Sequence, residues 1–131
     1  MDQFDKMLAK WQPTVLSLFR FITGLLLLQY GIAKIFKFPV LPYFANIPPL
    51  ITTAGALELV LGALLMIGLF TRITAFICSG EMAVAYFMAH APQSFFPIIN
   101  GGESAIFFCF IFLYLATAGG GPISVDAMRK K

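Results

Sequence analysis

The stretch GALELVLGALLMIGLFTR, residues 55–72, is an apolar run with a single carboxylate, Glu58, deep inside it. About 20 apolar residues, rising about 1.5 Å each, cross the hydrocarbon core of a bilayer. A charge held at that depth costs about 2.5–3.5 kcal/mol on insertion scales, so it faces a partner or a water-filled cavity. What Glu58 faces is therefore the central question about this chain.

Outward from this run the same pattern repeats. Thr71 and Arg72 leave room only for a very short turn before a third apolar run over about 73–89, which carries Cys78 and Glu81. The runs over about 50–70 and 73–89 are thus antiparallel neighbours. Upstream, FPVLPYFANIPP holds four of the eight prolines and reads as an interfacial loop rather than a helix. Before it lies a first span over about 14–36, interrupted by Arg20 and closed by Lys34 and Lys37. Residues 1–12 form an amphipathic lead-in, with Phe4, Met7, Leu8 and Trp11 at helical spacing. Downstream, HAPQSFFPIINGG is a second loop, and a fourth span over about 103–118 stops at Gly119-Gly120-Gly121-Pro122.

The whole chain of 131 residues reads as one domain, an all-α integral membrane four-helix bundle. It is 60% hydrophobic and 11% charged, which leaves too few polar residues to cover a soluble core. The net charge of +3 does not point to nucleic acid, because the basic residues sit in tails and short loops. Lys6, Lys10, Arg72, Arg129, Lys130 and Lys131 fall at one end of the bundle, and Lys34 and Lys37 at the other. The positive-inside rule then predicts a protein of the cytoplasmic membrane with both termini in the cytoplasm.

Two polar layers are expected. Glu58 and Glu81 lie roughly 14–17 Å from the terminal end and Arg20 about 10 Å, within reach of a long side chain. Arg20, Gly24, Gly31 and Lys34 share one face of the first span. Gly55, Glu58 and Gly62 share a face of the second, and Thr74, Cys78, Glu81 and Ala85 of the third. This predicts a buried Arg20/Glu58/Glu81 cluster, either a structural ion-pair network or a ligand-binding or proton-relay site. Lys34, His90, Asn100 and Glu103 are expected to form an outer layer, with Lys34 paired to Glu103. One histidine and two separated cysteines offer no metal site, and Cys78 and Cys109 read as inert buried thiols. No phosphate loop, haem motif or nucleophile–base arrangement is present, so no autonomous catalytic motif identifies an enzyme.

The residues carry a resemblance. Arg20 followed by Gly24, Gly31-x-x-Lys34, Gly55-x-x-Glu58-x-x-x-Gly62, Gly68-Leu69-x-Thr71-Arg72, Asn100-Gly101-Gly102-Glu103 and Gly119-x-Gly121-Pro122-x-Ser124-x-Asp126 stand in an order and spacing similar to the DoxX family. That family comprises small four-helix membrane proteins. The resemblance implies a subunit of a membrane redox or oxidative-stress-response system, at most an oxidoreductase subunit, with redox partner proteins. Together with the buried cluster it suggests a quinone-like or small anionic ligand. Thiosulfate:quinone chemistry belongs to one branch and is not carried over, and the absence of a CxxC pair argues against disulfide chemistry. Two further readings remain open here: a non-catalytic assembly protein, and a small transporter or proton conductor, which one four-helix protomer could form only as a homo-oligomer.

Overall fold

The computed structural model describes residues 2–130, apart from the side chain of Tyr43. Lys131, counted above in the charge asymmetry, lies outside the described residues. Among the described residues the chain is helical, with no strand. The amphipathic lead-in is helix α1 (Gln3–Lys10), opened by the Asp2 carboxylate accepting from the Asp5 amide. Its apolar residues Phe4, Met7 and Leu8, and Trp11 at its C-cap, are all exposed, as on a helix lying at an interface.

Three helices are long and apolar enough to cross a membrane: α2 (Gln12–Phe36), α3 (Pro49–Ile67) and α4 (Thr71–Ala85), which runs on through a π-turn to His90. A four-residue helix α5 (Pro97–Asn100) precedes α6 (Glu103–Ala118), which is apolar and shorter, and α7 (Val125–Arg129) ends the fold. The second span stops three residues before its expected end. Gly68, at φ 73°, takes the left-handed position that closes α3, and its amide bonds back to the Leu64 and Leu65 carbonyls.

Helices α2 and α3 are held together along their length by glycines spaced seven apart on each. A Cβ on Gly24 would stand 2.7 Å from the Met66 nitrogen, and one on Gly31 2.7 Å from that of Leu59. From the other side, a Cβ on Gly62 would stand 2.8 Å from the Leu28 nitrogen. The backbones meet only because these side chains are missing, which is how membrane helices gain close packing without a hydrophobic driving force. Helices α4 and α6 form the second closely packed pair. There the Ser79 hydroxyl donates to the Cys109 carbonyl at 2.8 Å.

Leu27, Leu65, Cys78, Phe112 and Leu115 fill the centre where the two pairs meet. Edge-on ring contacts between Phe19 and Tyr114, and between Tyr30 and Phe108, join α2 to α6. Outward, the bundle exposes Leu18, Val60, Phe76 and Phe110. An apolar surface of this kind belongs against lipid. This is an integral membrane protein.

Candidate functional site

Glu58 does not face Arg20. It is buried on the middle of α3 and forms an ion pair with Lys34, whose Nζ donates to Oε1 at 2.8 Å and Oε2 at 3.1 Å. The lysine starts near the far end of α2 and reaches inward past Gly55, where a Cβ would come within 2.8 Å of its own. Glycine at that position opens the passage for the stem. Expected in the outer layer opposite Glu103, Lys34 thus belongs to the interior site, while Glu103 lies exposed at the start of α6.

Glu81 completes the group. Its carboxyl lies within hydrogen-bonding reach of the Glu58 carboxyl and feels the Lys34 charge. Its Oε1 is buried and meets no N–H or O–H donor among the described residues. Cys78, one turn earlier on α4, is fully buried beside both acids and is a free thiol. The predicted acid pair therefore exists, but its cation is Lys34. Tyr30 and Phe44 place their rings 5.9 and 5.6 Å from the Lys34 ammonium, within cation–π range.

Arg20 serves the other end of the bundle. Its Nη1 donates to the carbonyls of Gly120 at 2.6 Å and Ile123 at 2.9 Å, and its Nη2 to Met66 at 3.2 Å. The Met66 carbonyl belongs to the last turn of α3, where no helical donor remains. Ser17, one turn before Arg20, reaches the same loop: it donates to the Gly120 carbonyl and accepts from the Ile123 amide. The carboxylate that bears on Arg20 is Asp126. The expected pairing of Arg20 with two midplane acids is thus corrected: nearer carbonyls, brought over by the C-terminal segment, take the guanidinium.

That segment makes a second polar centre that the sequence reading did not assemble. Asp126 accepts from the amides of Phe70 and Thr71 at 2.8 Å each, closing the exposed start of α4. Its own amide donates to the Gly68 carbonyl at 2.9 Å. Partial burial would push the Asp126 carboxyl up, but the Thr71 and Phe70 amides and the Arg129 charge together hold it below its ordinary value. Arg72 donates to the Thr117 carbonyl at the end of α6, and Arg129 lies 4.9 Å over the Phe70 ring. The available signal was the ordered run Gly119-x-Gly121-Pro122-x-Ser124-x-Asp126; what it touches is decided more than 50 residues away.

His90 and Asn100 do come together in the outer layer. The His90 Nδ1 lies 3.0 Å from the Asn100 carbonyl oxygen. The Asn100 amide group donates to the Tyr86 hydroxyl and the Ser94 carbonyl, and its Oδ1 accepts from the Gly102 amide. This network folds the loop between α4 and α6. Among the described residues no group of three metal-ligating side chains occurs.

Apart from Asn100-Gly101-Gly102-Glu103, which lies in the outer loop, the motifs quoted from the sequence converge on two places: Lys34 with Glu58 in the interior, and Arg20 with residues 68–72 and 119–126 at the terminal end. The DoxX family model matches residues 15–91, which hold Arg20, Lys34, Glu58 and Glu81. An uncharacterized protein of Haemophilus influenzae is 39% identical over 125 residues, covering 91% of this chain and 93% of its own length. No solved structure matches the chain. With both the motif-bearing helices and nearly the full length accounted for in this way, the chain belongs to the DoxX family.

Proposed function

We propose that this protein is a membrane subunit of a redox or oxidative-stress-response system and that Lys34, Glu58 and Glu81 form its proton-handling centre. In this reading four helices cross the cytoplasmic membrane and both termini lie in the cytoplasm. The excess of Lys6, Lys10, Arg72, Arg129 and Lys130 at the terminal end supports that orientation.

The observation that carries the reading is Glu81, a second carboxyl set against one that Lys34 already neutralises. Two carboxyls in contact are joined by one shared proton, so the pair is a reservoir with a defined capacity. The buried Glu81 Oε1, without a donor among the described residues, fits the hydroxyl of the quinol form of a quinone-like ligand. Conversion of a quinone to a quinol takes two electrons and two protons. Glu58 and Glu81 deliver one proton, solvent water supplies the second, and a redox partner protein supplies the two electrons. Reprotonation of the pair from solvent then removes the one negative charge that Lys34 does not neutralise.

Infrared difference spectroscopy on the reconstituted protein tests this directly. A protonated carboxyl band that moves in heavy water and disappears in Glu81→Gln is expected. Retained quinone, found by native mass spectrometry with lipid extraction and lost in the same variant, would complete the case. A band that survives both Glu81→Gln and Glu58→Gln rejects the centre. A non-catalytic assembly role draws support from the exposed Phe95, Ile98 and Ile99 in the outer loop. It predicts that function survives loss of both acids and fails on substitution of that loop.

A further inference from the structure

At the terminal end an open cleft of about 630 Å³ lies between the start of α4, the end of α6 and α7. Its lining includes Arg72, Arg129 and Lys130, and one carboxylate, Asp126. Three cations thus face one acid, and that acid is already bonded to the Phe70 and Thr71 amides. Among the described residues the Arg72 side chain makes one hydrogen bond, to Thr117, and the Lys130 ammonium makes none, so most of their side-chain donors meet no protein acceptor. The glycines at 119–121 keep the wall low, and a Cβ on Gly119 would stand 3.1 Å from the Arg72 guanidinium.

The surroundings of the cleft are apolar. Phe70 and Ile73 sit in its lining and are exposed. From Ile73 an exposed strip continues up α4 through Phe76, Ile77 and Val84 at helical spacing. A basic cleft at the end of membrane-spanning helices, leading into a lipid-facing apolar strip, combines the two chemistries of a phospholipid.

We propose that this cleft binds the phosphate of an anionic phospholipid, with Arg72, Arg129 and Lys130 holding the headgroup and Ile73, Phe76 and Ile77 lying along an acyl chain. Arg72 is fixed by its bond to Thr117 and Arg129 by Phe70, so the site is held open rather than assembled by the ligand. The apolar strip decides between sources of phosphate, since a soluble anion would gain nothing from it. The inference stands apart from the proton-handling centre.

The experiment compares phosphatidylglycerol with phosphatidylcholine on the full-length protein, by native mass spectrometry from mixed-lipid nanodiscs. Phosphatidylglycerol should be retained preferentially. Arg129→Gln with Lys130→Gln should lower its occupancy roughly fivefold for each cation removed. Lys6→Gln with Lys10→Gln, equal in charge and on α1 at the same end, should leave it unchanged. Equal losses in the two double variants would reduce the effect to general surface charge and overturn the site. Displacement by millimolar glycerol phosphate or inorganic phosphate, which lack acyl chains, would overturn the lipid assignment. On the unmodified protein, photoactivatable phosphatidylglycerol should label peptides from residues 70–77 or 118–130, and labelling confined to other segments would reject the proposal.

Discussion

The two polar centres of this bundle use their cations in opposite ways. At the terminal end Arg20 is bonded to three uncharged carbonyl oxygens, and the local acid, Asp126, is bonded to two uncharged amides. In the interior Lys34 is bonded to a carboxylate, and a second carboxyl lies beside it. The first arrangement satisfies backbone groups that chain ends leave open, which is a fastening role. The second places one more acidic group than its cation neutralises in an apolar setting, which is costly unless that group carries a proton. Arginine suits the first because its planar fork reaches several acceptors, and lysine suits the second as a point charge on a slim stem.

The comparison can be broken at its stronger pole first. Lys34→Met leaves the Glu58 carboxylate buried without a partner and should cost about 3–5 kcal/mol in detergent unfolding. Adding Glu58→Leu should recover most of that loss, because replacing both members of a buried pair with apolar residues is close to neutral. A Lys34→Met protein as stable as the parent would show that the ion pair does not hold α2 to α3.

Arg20→Lys tests the other pole. A lysine ammonium cannot serve the Gly120, Ile123 and Met66 carbonyls together, so about 1.5–3 kcal/mol should be lost although the charge is kept. The infrared band assigned to the Glu58/Glu81 pair should remain. If it shifts, the two centres are coupled and the division drawn between them fails.

The smallest effect is expected at Asp126. Asp126→Asn weakens the closure of α4 and should cost about 1 kcal/mol, as for a lost helix cap. Its folded carboxyl lies below the ordinary value of about 3.9, so its contribution is complete above that value. The contribution is lost as pH falls through the lowered value. Hydrogen exchange at the Phe70 and Thr71 amides, corrected for intrinsic rates, should rise in that acid window and be insensitive to it in Asp126→Asn.

Much of the architecture is legible in the chain because bilayer physics leaves few options. Apolar runs of spanning length, proline-rich loops and a triple glycine stop place the helices to within a few residues. The junction of α3 and α4 lies three residues earlier than the expected turn at Thr71-Arg72: Gly68 closes α3 before Leu69 and Phe70, and Thr71 and Arg72 already belong to α4. Periodicity also assigned the inward faces, since Gly24, Gly31, Gly55, Glu58, Gly62, Thr74 and Cys78 are all buried.

What the sequence by itself determined, then, is that this is a helical membrane protein with acids buried at Glu58 and near Glu81. The DoxX motifs were also visible as ordered spacings, although their meeting points were not. Only the tertiary structure decided which cation meets which acid. Depth and helical phase locate a Cα and a face, whereas pairing depends on how long side chains run and on what else approaches them. Gly55 lets the Lys34 stem pass inward to Glu58, and the chain after α6 folds back to present its carbonyls to Arg20. Both are contacts between residues far apart in sequence, set by close backbone packing that no local pattern encodes.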